Sequence, residues 1–301
     1  MQARLSTVPA RNEMNTPRGS LLAPPLELLF ERERLPSFDF PSELGASYAG
    51  GFGLQRSCLF ANFVMSVDGT VALRGVGESG HVISGDNEAD RFVMGILRAC
   101  ADAVLIGAGT FRASPGHLWH ADQIYPPAAA AFAELRRRLG LRPQPKLVLL
   151  TESGAIDTTA PAISDALILT TSAGNARLAN ALPASSRSVV FGSGAIRLAA
   201  VLELLRREGF ERVLTEGGPS LMGGLLSEQL VDELFLTVSP FLFGQTPGDG
   251  RKSLVHGIDL GATPLELLST RRQGSHLFLR YAVGHGEHRA ARSGSTDFQT
   301  T

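Results

Sequence analysis

The run Val213-Leu-Thr-Glu-Gly-Gly-Pro-Ser-Leu-Met222 gathers residue types that can do chemistry at a phosphate. Val213–Thr215 read as the end of a buried strand, which Glu216-Gly217-Gly218 break. Pro219 suits the first turn of a helix whose apolar side holds Leu221, Met222, Leu225 and Leu226. Glycines between strand and helix let the backbone approach a ligand closely, and the free N–H groups and dipole of the helix start favour an anion, so Gly217, Gly218, Pro219, Ser220 and Leu221 form a candidate phosphate turn. Glu216 sits where that ligand would arrive. A carboxylate beside an anion carries an electrostatic cost, so Glu216 is expected to face the non-phosphate end of the bound pair. The competing reading is an ordinary strand–turn–helix junction with an incidental acid.

Two further apolar strands end in glycines, at Gly107-Ala-Gly109-Thr110 and Gly192-Ser-Gly194. Ligands of open α/β sheets bind at such carboxyl ends, and three of them in one domain favour a dinucleotide over a small metabolite. None is the Rossmann fingerprint, because the first lacks a third glycine and no acid follows at the ribose-binding distance. Arg112, with the hydroxyls of Thr171-Ser172, suits a 2′-phosphate and hence NADP rather than NAD; alternatively Arg112 is a solvated surface charge. Asp68-Gly69 ends the first core strand and is either a turn former or an acid within reach of a polar substrate ring. His81, His117 and His120 lack metal-ligand spacing, so no metal site is expected. Trp119, the single tryptophan, either covers a ring or simply packs.

These residues need a scaffold, and the chain alternates accordingly. Strands are expected at Ser57–Met65, Ala103–Ile106, Lys146–Leu150, Asp165–Thr170, Ser188–Phe191 and Arg212–Thr215, with helices at Asp86–Ala101, Pro126–Leu139, Ala195–Glu208 and from Pro219. Three later strands, 231–239, 263–271 and 276–283, follow. The pattern predicts an α/β fold with a central mixed sheet, mostly parallel with antiparallel C-terminal strands, and helices on both faces. Residues 1–20 and 285–301 read as disordered tails, and 21–56 as an extension with one short helix around Pro25–Glu33. Residues 57–284 read as one domain.

Bulk properties narrow the class. A net charge of -1 gives no support for a nucleic-acid or anionic-membrane partner, and no apolar run is long enough to span a bilayer. The N-terminus makes a poor signal peptide, so a cytoplasmic location is the expectation. Lys146 and Lys252 are the only lysines and neither sits in an apolar run, which disfavours Schiff-base chemistry. Cys58 and Cys100 lie in apolar surroundings and read as core residues rather than a disulfide framework. The long apolar strands at 231–239 and 276–283 are expected to form an open edge that pairs with a second subunit.

Taken in order, Ser66-Val-Asp-Gly69, Gly77-Glu-Ser79, Leu97-Arg-Ala99, Ala103-Val-Leu-Ile-Gly-Ala-Gly-Thr110, Thr215-Glu-Gly-Gly218 and Leu230-Val-Asp-Glu-Leu234 resemble the reductase domain of riboflavin-biosynthesis proteins. That domain is related in fold to dihydrofolate reductase, and the likeness is greatest to stand-alone pyrimidine reductase-like proteins. It covers about residues 57–283. The resemblance implies a homodimer that uses NADPH to reduce a small-molecule substrate, 5-amino-6-(5-phosphoribosylamino)uracil, to its ribitylamino product by hydride transfer to C1′. Carried over by position, Thr110, Ser153 and the loop from Gly217 hold the cofactor, beside Gly107, Gly109, Arg112 and Thr171. Ser79, Arg98 and Glu216 face the substrate with Asn62, and Glu216 and Asp68 are the expected catalytic acids. Arg98 near its helix end has a competing role as dipole compensation.

The chain also departs from that family. Phe111–Trp119 replaces a run in which the bifunctional enzymes carry Asp-Pro and then Leu and Arg, leaving Arg112 or Arg74 as substitute phosphate anchors, and Ala61-Asn62 stand where a lysine is common. No His-x-Glu with Pro-Cys-x-x-Cys is present for zinc-dependent deamination. Two rivals stay open: a pterin or folate reductase with Asp68 on the ring, and an NADPH-binding protein without turnover.

Overall fold

The computed structural model describes residues 21–77, 79–178, 181–246 and 248–284; the tails expected at 1–20 and 285–301 lie outside them. The strands are β1 (Glu27–Glu31), β2 (Cys58–Ser66), β3 (Ala103–Gly107), β4 (Lys146–Thr151), β5 (Leu167–Thr170), β6 (Arg187–Val190), β7 (Arg212–Thr215), β8 (Glu233–Ser239), β9 (Leu265–Gln273) and β10 (His276–Val283). They form one sheet in the order β1-β9-β10-β8-β2-β7-β3-β4-β5-β6. From β8 to β6 every pairing is parallel, while β10, β9 and β1 add antiparallel at one side. This is the expected mixed sheet of a dihydrofolate-reductase-like fold.

Strand side chains alternate between two apolar cores, as a sheet covered on both faces requires. Phe60, Val104, Ile106, Leu214 and Phe235 meet α1 (Ser42–Tyr48), α3 (Glu88–Cys100), α5 (Ala121–Ile124) and α6 (Ala129–Arg138) on one face. Leu59, Ala61, Leu105, Val213 and Leu234 meet α8 (Leu198–Arg207) and α9 (Pro219–Ser227) on the other. The remaining helices are short: α2 (Ser79–Ser84), α4 (Ala108–Ala113) and α7 (Ser172–Leu178).

Four expectations are corrected. The helix around Pro25–Glu33 is instead strand β1, because Glu27–Glu31 pair with β9 and Glu27 and Glu31 meet Arg272 and Arg271 across the ladder; tertiary pairing overrides a short local preference. The glycine-bearing strand end at Gly107–Thr110, where no helix is expected, opens one: β3 runs straight into α4 at Ala108. Helix α8 begins at Leu198, three residues after the expected Ala195. The strands at 231–239 and 276–283 are interior ones, β8 and β10, since β9 and β1 cover them; the open edges are β1 and β6.

The extension is bound into this sheet. Arg271 donates to the Tyr48 carbonyl (2.9 Å) and lies over the Tyr48 ring, and Arg280 donates to the Gly53 carbonyl (2.8 Å) while pairing with Glu233.

Candidate functional site

A cavity of about 230 Å³ opens at the carboxyl ends of β7 and β3, with the second half of β2 along its wall. The parallel register sets Ala61 beside Thr215, so Asn62 and Glu216 emerge as neighbours at the sheet end. The Thr215 hydroxyl donates to the Leu105 carbonyl (3.1 Å) and accepts from the Gly217 N–H (3.2 Å), which fixes the start of the glycine turn. A Cβ on Gly217 would lie 2.4 Å from the Leu221 side chain, which would have to move to admit it. A Cβ on Gly218 would stand 3.3 Å from the Thr110 hydroxyl. Gly218 caps α9 with no side-chain hydrogen bond to the helix start, so the first-turn N–H groups stay open to a ligand.

Helix α3 forms the facing wall. Asn87 caps it by accepting from the Asp90 N–H (2.9 Å), and Asp90, Met94 and Arg98 all line the cavity at successive i+4 spacings. Arg98 is 1% exposed and grips Glu216: Nε donates to both carboxylate oxygens (3.0 and 3.2 Å), and Nη2 donates to Oε2 at 2.7 Å. Its Nη1 donates to the His120 carbonyl (3.3 Å). Arg98 is thus not the cation that compensates its helix. Arg136 takes that part, its Nη1 donating to the carbonyls of Arg98, Ala99 and Ala101 at the end of α3.

The 111–119 run, where the sequence departs from its relatives, closes one side. Trp119 is buried with φ of 57° and stacks on Phe111 at 6.0 Å, so it packs and lines the cavity at once. His117 meets Trp119 edge-on at 4.9 Å; burial, then the Arg98 charge, push its imidazole down to about 3 and keep it neutral. Burial also lowers His120.

Of the expected site residues, Asn62, Ser79, Arg98, Thr110, Glu216, Gly217, Gly218 and Pro219 share this cavity. Gly107 and Gly217 both face the Leu221 side chain, Gly109 opens to space on α4, and Ser220 is exposed on α9. One strand further along the sheet, Arg112 donates to the Ala155 carbonyl (3.0 Å), whose own N–H meets the Ser153 hydroxyl (3.3 Å). The Thr171 hydroxyl is used internally, donating to the Glu152 carbonyl (2.7 Å) and accepting from Gly174 N–H. Asp68 stands apart. It is exposed on the turn after β2 and accepts from the N–H groups of Phe243 (2.9 Å) and Gly244 (2.6 Å) and from the Ser66 hydroxyl. Those donors, Ser66 first, hold its carboxyl below the usual range. This is the turn-forming use of an Asp-Gly pair.

Asp90 was not among the expected residues. Its signal was the i, i+4, i+8 spacing with Met94 and Arg98, hidden because the helix reads first by its apolar side. Among the described residues no helix is long and apolar enough to cross a membrane, and no group of three or more His, Cys, Asp or Glu could hold a metal ion.

The chain is similar to known proteins in sequence and in fold. Residues 57–279 match the family model described as the RibD C-terminal domain. A 2,5-diamino-6-ribosylamino-4(3H)-pyrimidinone 5′-phosphate reductase from Archaeoglobus fulgidus is 28% identical over 193 residues, 63% of this chain and 83% of that protein. Its namesake from Methanothermobacter thermautotrophicus is 29% identical over 233 residues, 76% of this chain and 99% of that one. In fold, the chain resembles a pyrimidine reductase-like protein from Corynebacterium diphtheriae with a TM-score of 0.62 at 24% identity, covering 76% of this chain and 92% of that one.

Proposed function

The chain belongs to the RibD C-terminal domain family, enzymes of the dihydrofolate-reductase-like superfamily, and on that premise we propose that it is an NADPH-dependent reductase of a phosphoribosylaminopyrimidine, acting at C1′ of the sugar to leave a ribitylamino chain. The observation that carries this is the uncapped start of α9 beside a cavity in which Glu216 is already neutralised by Arg98. That pairing removes the electrostatic objection to a phosphate next to Glu216.

The residues present fit the cofactor. The first turn of α9, with Gly217 and Gly218 bare of side chains, holds the pyrophosphate, and Thr110 lies against Gly218. Arg112 and Ser153 continue the track over the ends of β3 and β4, toward the adenosine end, where Arg112 meets a 2′-phosphate. When bound there, the reduced nicotinamide supplies the hydride that the reduction needs. The chain does the rest. Phe63, Met94, Trp119 and Ile124 keep water from the cavity, and neutral His117 adds no charge beside Arg98. Asn62 and Ser79 line the substrate side, Arg91 and His81 lie toward its rim, and Glu216 is held in one orientation by three hydrogen bonds from Arg98. The 5-amino-6-(5-phosphoribosylamino)uracil expected from the sequence and the diaminopyrimidinone in the relatives' names carry the same reacting sugar.

The exposed run Leu28-Leu29-Phe30 on edge strand β1 supports self-association as a homodimer. The test of function is NADPH consumption by purified protein with each phosphoribosylaminopyrimidine and, in parallel, dihydrofolate. Turnover with a pyrimidine upholds the proposal. Turnover with dihydrofolate alone, or tight NADPH binding without any turnover, overturns it.

A further inference from the structure

The phosphate of the substrate proposed above calls for a cation, and the 111–119 run brings none to the cavity. Its lining residues are Ala113, Ser114, His117 and Trp119, and burial keeps the His117 imidazole neutral. Arg112 is spent on the Ala155 carbonyl (3.0 Å), one strand away. Arg74 lies against Gly250, where an added Cβ would stand 2.7 Å from its Cδ. Neither lines the cavity, whereas two arginines of α3 do, Arg91 and Arg98. Arg98 is neutralised by Glu216 and gives its Nη1 to the His120 carbonyl.

Arg91 has the opposite character. Its side chain is 25% exposed, and among the described residues it makes one hydrogen bond, from Nη1 to the Asp86 main-chain carbonyl (2.9 Å). A guanidinium carries five N–H donors in a planar fork, so most of the capacity of this one is open at the rim. The Asp86 carboxylate is 3.8 Å from Arg91 Nη1 and 75% exposed, so solvent weakens both its hold on the arginine and its repulsion of an anion. Asp86 also meets His81 Nδ1 of α2 (3.1 Å), which brings the two cavity-lining side chains to one stretch of rim. The neighbouring acid, Asp90, is 5% exposed and meets the Thr237 hydroxyl of β8, so it lies toward the sheet. Arg91 stands seven residues before Arg98, about 10 Å along the same wall. The sugar chain and the reach of an arginine side chain together cover that span.

We propose that Arg91 is the phosphate anchor of this site, binding the 5′-phosphate of the sugar at the cavity rim through paired N–H groups of its guanidinium. The inference rests on the phosphoribosylaminopyrimidine reading. It moves the anchor from the 111–119 run to α3 and leaves Arg98 to orient Glu216.

The experiment is steady-state kinetics at saturating NADPH, with the phosphoribosylaminopyrimidine and with the same compound after removal of its phosphate. Wild type is expected to show a KM roughly 10- to 100-fold lower for the phosphorylated form, the scale of one charge-assisted contact. Arg91→Met should bring the two KM values within about threefold of each other, with kcat nearly unchanged. Arg91→Gln, the second variant should the methionine form not fold, should do the same, and Arg91→Lys should restore part of the difference. Arg74→Met should keep the wild-type ratio. A purely structural Arg91 would move both substrates alike. An Arg91→Met or Arg91→Gln protein with the wild-type ratio, or an Arg74→Met protein that loses it, overturns the proposal. If wild type turns over both forms with equal KM, or prefers the dephosphorylated one, only this proposal falls. If it turns over neither while NADPH binds, the substrate reading falls, and this proposal with it.

Discussion

Removing one member of the Arg98–Glu216 pair should damage the protein far more than removing both. Glu216→Ala leaves a guanidinium that is 1% exposed without the acceptors of its Nε and Nη2 groups. At the 2.7 Å separation of the closest atoms, the pair's Coulomb attraction is about 6 kcal/mol at an effective dielectric near 20. The desolvation that burial imposed on both groups offsets much of this, so losing one partner is expected to cost about 3–5 kcal/mol. For a domain of this size that corresponds to a fall in Tm of roughly 6–20 °C. Arg98→Met should cost a similar amount, since it strands the acid beside the glycine turn. The double variant Arg98→Met/Glu216→Leu removes both charges and both desolvation costs, and should lie within about 2 kcal/mol of wild type while losing turnover. Urea unfolding of the four proteins measures the cycle. Single variants that each cost under about 1 kcal/mol, or a double variant costing the sum of the singles, would refute the assignment of this contact as a tightly coupled buried pair.

Three other outcomes follow from the same geometry. Glu216→Gln keeps one acceptor for Arg98 and leaves the α9 start untouched, so NADPH affinity by fluorescence titration should stay within about threefold while kcat falls at least tenfold; loss of NADPH binding instead would move Glu216 into the cofactor site. The Asp90 carboxyl is raised by burial, so between its unfolded pKa of about 4 and its higher folded one the native state binds more proton, and stability falls as pH rises through that window. Asp90→Asn lacks this loss, and its Tm advantage over wild type should grow from acid to neutral pH; a gap independent of pH would contradict the burial argument. Asp68→Ala removes the acceptor of the Phe243 and Gly244 N–H groups, so protease should cut faster beside Phe243 and Gly244 while KM for NADPH holds; a selective fall in kcat with unchanged cutting there would return Asp68 to the chemistry.

What the sequence made legible is what periodicity and punctuation encode. Alternating strands and helices, Gly217-Gly218 at a strand end, and Pro219 at a helix start each have a local physical cause, and they led to the sheet, α9 and the glycine turn before it. Arg98 and Glu216 were both placed at the site, but their mutual pairing joins residues 118 positions apart and has no local signal. β1 was missed because five residues carry little preference of their own and take their form from β9. Asp68 drew attention as an acid at a strand end, yet its partners Phe243 and Gly244 lie on a distant loop. Asp90 went unnoticed for the opposite reason: an acid in a helix's first turn looks like ordinary dipole compensation until burial is known.

The hold of Arg271 and Arg280 on the backbone carbonyls of Tyr48 and Gly53 has a practical consequence. A protein trimmed to the stretch that the family model matches, starting at residue 57, would strip two interior guanidinium groups of their carbonyl partners and of the Tyr48 and Phe52 rings that cover them. Homology and autonomy of folding are therefore expected to have different boundaries here. A truncated form should emerge insoluble or partly open next to Glu233, and expression beginning near Leu21 is the version to compare with it.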